Sequence, residues 1–172
     1  MRIRVAVALA ALLWAAPGCK KKNAGTPAQN PRRIPITATM GDPRAAQQLL
    51  SGFHEIEGGS WRWTAKQFVV ELGTPAGAAG RGATLELRFS LPPAVIEKNQ
   101  AVTLTAAVDG NVLAPETFAT AGENVYKKDV PEALLAGESV KVGFEVDKTF
   151  AAGGGDQRVL GVIASSVSLI RK

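Results

Sequence analysis

The chain has one cysteine and one histidine in 172 residues. A single thiol excludes an intramolecular disulfide, and Cys19 with His54 is too small a set for an ordinary His/Cys metal site. With one histidine, no Ser/His/Asp constellation is signalled either. Aromatic residues are scarce, with three Trp, one Tyr and six Phe. No apolar run approaches the roughly 20 residues of a membrane-spanning helix. The longest, Val5 to Ala16, has twelve. The glycine-rich "AGGGD" at 152–156 lacks the lysine and the strand-to-helix context of a phosphate loop, so it reads as a turn and no cofactor is expected. What remains is a chain without catalytic signatures, whose informative parts are its beginning and its alternating strands.

"MRIR", the apolar run and then "PGC" form a charged n-region, a short h-region and a small-residue cleavage site, so residues 1–18 read as an export signal. Cys19 directly after Gly18 resembles the lipobox of bacterial lipoproteins, although Ala16 and Pro17 stand where that motif usually has Leu and then Ala or Ser. The resemblance implies that Cys19 is diacylated, becomes the first mature residue and is then N-acylated. Two or three acyl chains, at about 0.8 kcal/mol per buried CH₂, hold a protein on a membrane, whereas one does not. Lys20 stands where an inner-membrane retention signal would resemble Asp. The resemblance therefore implies the cell envelope, on the outer membrane, periplasmic or surface side, where the organism has two membranes.

Residues 19–41 carry the lipid site and a Pro-, Ala- and Thr-rich stretch without periodicity, read as a flexible tether. The formal charge of +5 suggests nucleic acid until its distribution is examined. Seven of the 20 basic residues (Arg2, Arg4, Lys20, Lys21, Lys22, Arg32 and Arg33) precede Asp42, and all 15 acidic residues lie from Asp42 onward, so residues 42–172 carry 13 against 15, a net −2. The basic excess belongs to the segment beside the lipid, where lysines meet anionic headgroups at roughly 1 kcal/mol each. No nucleic-acid partner is expected.

Residues 42–172 suffice for one domain. Asp42 as a cap, Pro43 at the first helical position, Leu49 and Leu50 on an apolar side and Gly52 as a stop predict a helical turn or two. The rest reads as strand. Leu85, Leu87, Phe89 and Leu91 alternate with polar residues, as do Val102, Leu104, Ala106 and Val108, and Val140, Val142, Phe144 and Val146. Asp109-Gly110 signals a hairpin. "EALLAG" and "PPAVIEKN" suggest short helical turns. The pattern predicts an all-β fold, an antiparallel β-sandwich of jelly-roll or immunoglobulin-like type with about seven to nine strands.

"LLSGFHEIEGGSWRWTA", "VTLTAAVDGNVLAPETF" and "GDQRVLGVIASSVSL" together resemble a poorly characterised bacterial β-sandwich domain of secreted and lipid-anchored proteins, also found appended to glycosyltransferases. The closing strand matches its pattern at Asp156, Arg158, Leu160, Gly161, Val162 and Ser165, with Ala164 where the family more often has Val. That family has no assigned enzymatic activity, so the resemblance implies a fold and an envelope setting.

The main reading is a non-catalytic interaction or structural module, and the alternative is a carbohydrate-binding module. An enzyme acting on glycans is a weaker third, because Glu55, Glu57, Glu71 and Glu86 are spaced as solvent-facing strand positions rather than as a glycosidase pair. The partner is a glycan or another envelope protein. Trp61 and Trp63 leave an extended strand on one side, with Arg62 and Thr64 on the other. With His54 and Tyr126 they are the candidate sugar platform, and the same spacing equally suits two core anchors. Asp156 and Arg158, two apart at a strand entrance, read as a structural pair.

Overall fold

The computed structural model describes residues 33–153 and 155–172. The expected signal peptide, Cys19 and the tether up to residue 32 lie outside them. The fold is an antiparallel β-sandwich. One sheet runs in the order β1 (Thr37–Thr39), β12 (Ile163–Arg171), β4 (Ala83–Leu91) and β8 (Gly122–Val130). The other runs in the order β2 (Leu49–Glu57), β3 (Trp61–Gly73), β9 (Ser139–Val146) and β5 (Val102–Val108). β5 is bordered by the short β6 (Asn111–Val112) and β7 (Glu116–Phe118). The sheets are continuous through β3, where Arg62 and Trp63 pair with Ala164 and Ile163 before Gln67–Gly73 pair with β9. A separate hairpin joins β10 (Phe150–Gly153) and β11 (Asp156–Leu160).

The alternating strands pack as their pattern requires. Every apolar residue named above on β4, β5 and β9 is buried, because each presents one face to the facing sheet and the other to water. Asp109 and Gly110 both have positive φ, as a two-residue hairpin of matching twist demands. The strand total exceeds seven to nine, because β1, β6, β7, β10 and β11 are too short to show a period in sequence. The two suggested helical turns are present, as α1 (Pro93–Asn99) and a 3-10 turn at Glu132–Leu134.

Two expectations need correction. The stretch 37–41 is not tether: β1 pairs with Ser166–Ser168 of β12, and Ala38 and Met40 are fully buried. Its lack of periodicity reflects a strand of three residues. After Asp42, whose carboxylate accepts from the Arg44 amide, only a 3-10 turn forms at Pro43–Gln47. Leu49 and Leu50 instead open β2, drawn into pairing with β3. Gly52 does not stop a helix; it sits at a register shift with φ of 76°, where a Cβ would collide with the Gln67 carbonyl.

The strands define two ends of the sandwich. At one, Gly73 lies opposite Ser139, Arg171 opposite Ala83, and Ala83 opposite Val130. The chain enters here, since the Pro35 carbonyl accepts from the Gly73 amide at 2.9 Å and from Gln48 Nε2 at 2.9 Å. At the other, Trp61 lies opposite Glu57, Leu91 opposite Gly122, and Val102 opposite Phe118. The open side between β8 and β7 is closed by Lys128, whose ammonium meets Glu116 at 2.7 Å and lies 5.2 Å from the centre of the Tyr126 ring.

Candidate functional site

The end opposite the chain's point of entry is built around the turn between β2 and β3. Gly58 and Gly59 both have positive φ, and the Ser60 amide donates to the Glu57 carbonyl at 3.2 Å. Glycine at 58 also serves the next strand, because a Cβ there would stand 2.8 Å from Trp61 Nε1. Trp61 therefore lies against the turn backbone, half-buried, edge-on to Trp63 at 6.5 Å and 86°. Trp63 is only 9% exposed and belongs to the core.

Arg62 and Thr64 are buried as well, so both sides of "WRWT" are covered. Arg62 donates from Nε to the Met40 carbonyl at 3.1 Å and from Nη1 to the His54 carbonyl at 2.8 Å. It thereby fastens β2 and the end of β1 to β3. Thr64 accepts from the Val162 amide at 3.1 Å, while its carbonyl accepts from the Gly161 amide at 2.6 Å. A Cβ at Gly161 would meet the Ala65 carbonyl oxygen at 2.5 Å. The glycine of the closing motif is thus required by this close approach, not by φ.

Arg158 organises the polar part of this end. Its Nε donates to both Asp156 oxygens, at 3.0 and 2.9 Å, and its Nη2 to Oδ2 at 2.7 Å. The Arg158 amide donates to the same carboxylate. Its Nη1 reaches Glu57 Oε1 at 2.7 Å, across 101 residues of sequence. The guanidinium, through its hydrogen bonds, holds the Asp156 carboxyl below the ordinary carboxylate range, with a smaller contribution from His54. Asp156 in turn raises Arg158 further, followed by Glu57. His54 is half-buried three residues before Glu57, and its Nε2 is buried without a hydrogen-bond partner among the described residues.

The structure therefore brings Trp61, Asp156 and Arg158 to one end, with His54 on the adjoining strand. Trp63 lies beside Trp61 but is enclosed in the core, and Tyr126 lies away from both on β8. Tyr126 is fully buried, donates to the Ala114 carbonyl at 3.0 Å, and has its phenol pushed up to about 12 by burial. A platform using all four expected residues does not exist. Glu57 is the residue sequence reading missed. It looked like a solvated strand position, and its only signal is a carboxylate directly before the Gly-Gly turn; its partner is unreachable by local pattern.

Glu86 also departs from a solvent-facing role, at 6% exposure between Arg88 at 2.7 Å and Lys127 at 3.2 Å. Burial alone would raise its carboxyl, and the two cations outweigh burial and lower it. Among the described residues, no group of three or more His, Cys, Asp and Glu is placed to hold a metal ion, and no helix is long and apolar enough to cross a membrane.

No protein family and no curated protein matches the chain. Among solved structures, the chain is similar to a family 35 carbohydrate binding module from an environmental isolate, at 13% identity over 71% of this chain and 85% of that one, with a TM-score of 0.49. It is also similar to a CBM4 structure, at 14% identity over 73% and 77%, with a TM-score of 0.37. A third similarity is to the CBM51-2 and INT domains from Clostridium perfringens ZmpB in complex with GlcNAc, at 14% identity over 64% of this chain and 22% of that one, with a TM-score of 0.37.

Proposed function

We propose that this protein is a non-catalytic, lipid-anchored β-sandwich of the bacterial cell envelope that binds a carbohydrate at its Trp61 end. The observation that carries the reading is the meeting of one half-exposed indole with a fixed constellation of Asp156, Arg158 and Glu57. A sugar ring offers an apolar face of C–H groups and a rim of hydroxyls. An indole suits the face, while carboxylates and a guanidinium already locked in place accept from and donate to the rim at little ordering cost. The anchor is the one implied by Cys19 and the sequence around it.

Asp156 is suited to accept hydrogen bonds from a sugar rather than to act as a general acid. A general acid needs its carboxyl raised towards neutrality. Asp156 and Glu86 are both lowered by their cations, so they stay ionised.

The test is a glycan array on the full chain, followed by calorimetry with the best ligand. Trp61→Ala is expected to abolish binding with a modest change in melting temperature. Trp63→Ala is expected to act the other way, costing about 3–5 kcal/mol of stability as a core truncation. No glycan bound above the Trp61→Ala background would reject the carbohydrate reading. Membrane partition of wild type and Cys19→Ser tests the anchor separately; equal partition would reject it.

A further inference from the structure

We propose that the end at which the chain enters the sandwich is a membrane-contacting surface, seated on the bilayer that carries the Cys19 anchor, so that the Trp61 end faces away from it. The proposal rests on the lipid-anchor reading above.

Arg33 begins the described chain at this end, two residues before the Pro35 carbonyl that caps the Gly73 amide. Cys19 lies fourteen residues upstream. Fourteen residues reach at most about 50 Å even when fully extended, which bounds the distance between this end and the acyl site. The Trp61 end is twelve residues of β3 away. At about 3.3 Å per residue, that is up to about 40 Å further out.

The exposed apolar residues are distributed unevenly between the two ends. Of six large ones, Ile36, Leu50, Val112 and Ile170 lie at or near the end the chain enters. Ile36 hands its carbonyl to the Leu169 amide, next to Ile170. Val112 stands 72% exposed on β6 opposite Ala107, which pairs with Gly143, four residues from the start of β9. Leu50 follows Leu49, which pairs with Val70, three residues from the end of β3. Single exposed aliphatics are ordinary, whereas a grouping at one end of a small domain marks a contact surface.

The formal charge here is nearly balanced, with Arg33, Arg81 and Arg171 set against Glu132 and Glu138, and Lys172 held on Asp129 at 3.0 Å. The domain thus contributes the apolar contact. Lys20, Lys21 and Lys22, directly after the acyl site, supply the attraction to anionic lipid.

The experiment uses the acylated full chain in vesicles of zwitterionic phospholipid with an anionic fraction and a brominated lipid. An environment-sensitive fluorophore is placed on Val112→Cys, Ile170→Cys or Ser60→Cys, Cys19 being blocked by its acyl groups. Quenching several-fold stronger at 112 and 170 than at 60 is expected, and it should fall at 112 in an added Ile36→Ser/Ile170→Ser background with partition unchanged. Equal quenching at all three sites, or stronger quenching at 60, in protein that does partition would overturn this surface alone. Protein that fails to partition, like Cys19→Ser, would remove the anchor reading and this proposal with it.

Discussion

Arg62 shows how one residue can be central to the fold while reading as a solvated strand position. Its guanidinium is 8% exposed and donates to two backbone carbonyls from different segments, Met40 and His54. Hydrogen bonds from a charged donor contribute about 1.5–3 kcal/mol each, and unpairing buried carbonyls adds to the loss. Arg62→Met, which keeps the apolar stem, is therefore expected to lower the unfolding free energy by about 2–4 kcal/mol in urea titration. An unchanged midpoint would show that the two bonds contribute nothing net. Alternation told half of the Trp pair's story, since same-side spacing is common to a platform and a core strand. Only burial distinguished Trp63, enclosed in the core, from Trp61, left half-exposed by the Gly58-Gly59 turn.

Among the elements, the legible ones are those with one wet face. β4, β5 and β9 alternate because one side meets the core and the other water, and their inward residues can be named from sequence. The first half of β3 obeys no such rule, because Arg62, Trp63 and Thr64 are all buried in succession. Its outer cover comes from the connection between β11 and β12, where Val162 and Gly161 reach Thr64. That junction gives a sharp expectation for Gly161→Ala. A Cβ 2.5 Å from a backbone oxygen has no flexible neighbour to displace, so β3 and β12 must separate. The variant is expected to lose several degrees or more of melting temperature by calorimetry, more than Gly80→Ala, whose Cβ would meet nothing within 4 Å and whose φ is not in the left-handed region. The tether boundary was misplaced for a related reason: a three-residue strand such as β1 is too short to carry a period, though it buries Ala38.

For the whole molecule, the lowered carboxylates set the response to acid. Asp42, Glu86 and Asp156 all have folded-state values below their ordinary ones. The folded protein therefore binds fewer protons than the unfolded chain, and the associated stability is present above the unfolded carboxylate values near 4 and is lost as pH falls through the lower folded values. Chemical denaturation between pH 7 and pH 2 is expected to show a plateau followed by a decline below about pH 4. Glu86→Gln should lower the plateau and shrink the decline. An equal drop at every pH would mean that Glu86 acts through packing instead of charge. At this scale the two ends also acquire different characters, one with Ile36 and Ile170 exposed, the other polar and carrying Trp61.

The sequence by itself carries the pattern read as an export and acylation signal, and it determined the all-β class and the inward residues of the alternating strands. These are local properties, written in adjacent residues as charge, run length and a period of two. Tertiary structure decided which tryptophan is exposed, that Glu57 joins Asp156 on Arg158, that Arg62 and Glu86 are buried, and that the chain enters opposite the Trp61 end. Each of these depends on which distant segments are brought together. A pairing across 101 residues leaves no trace in local spacing, because it is set by strand register and by the closure of one sheet onto the other.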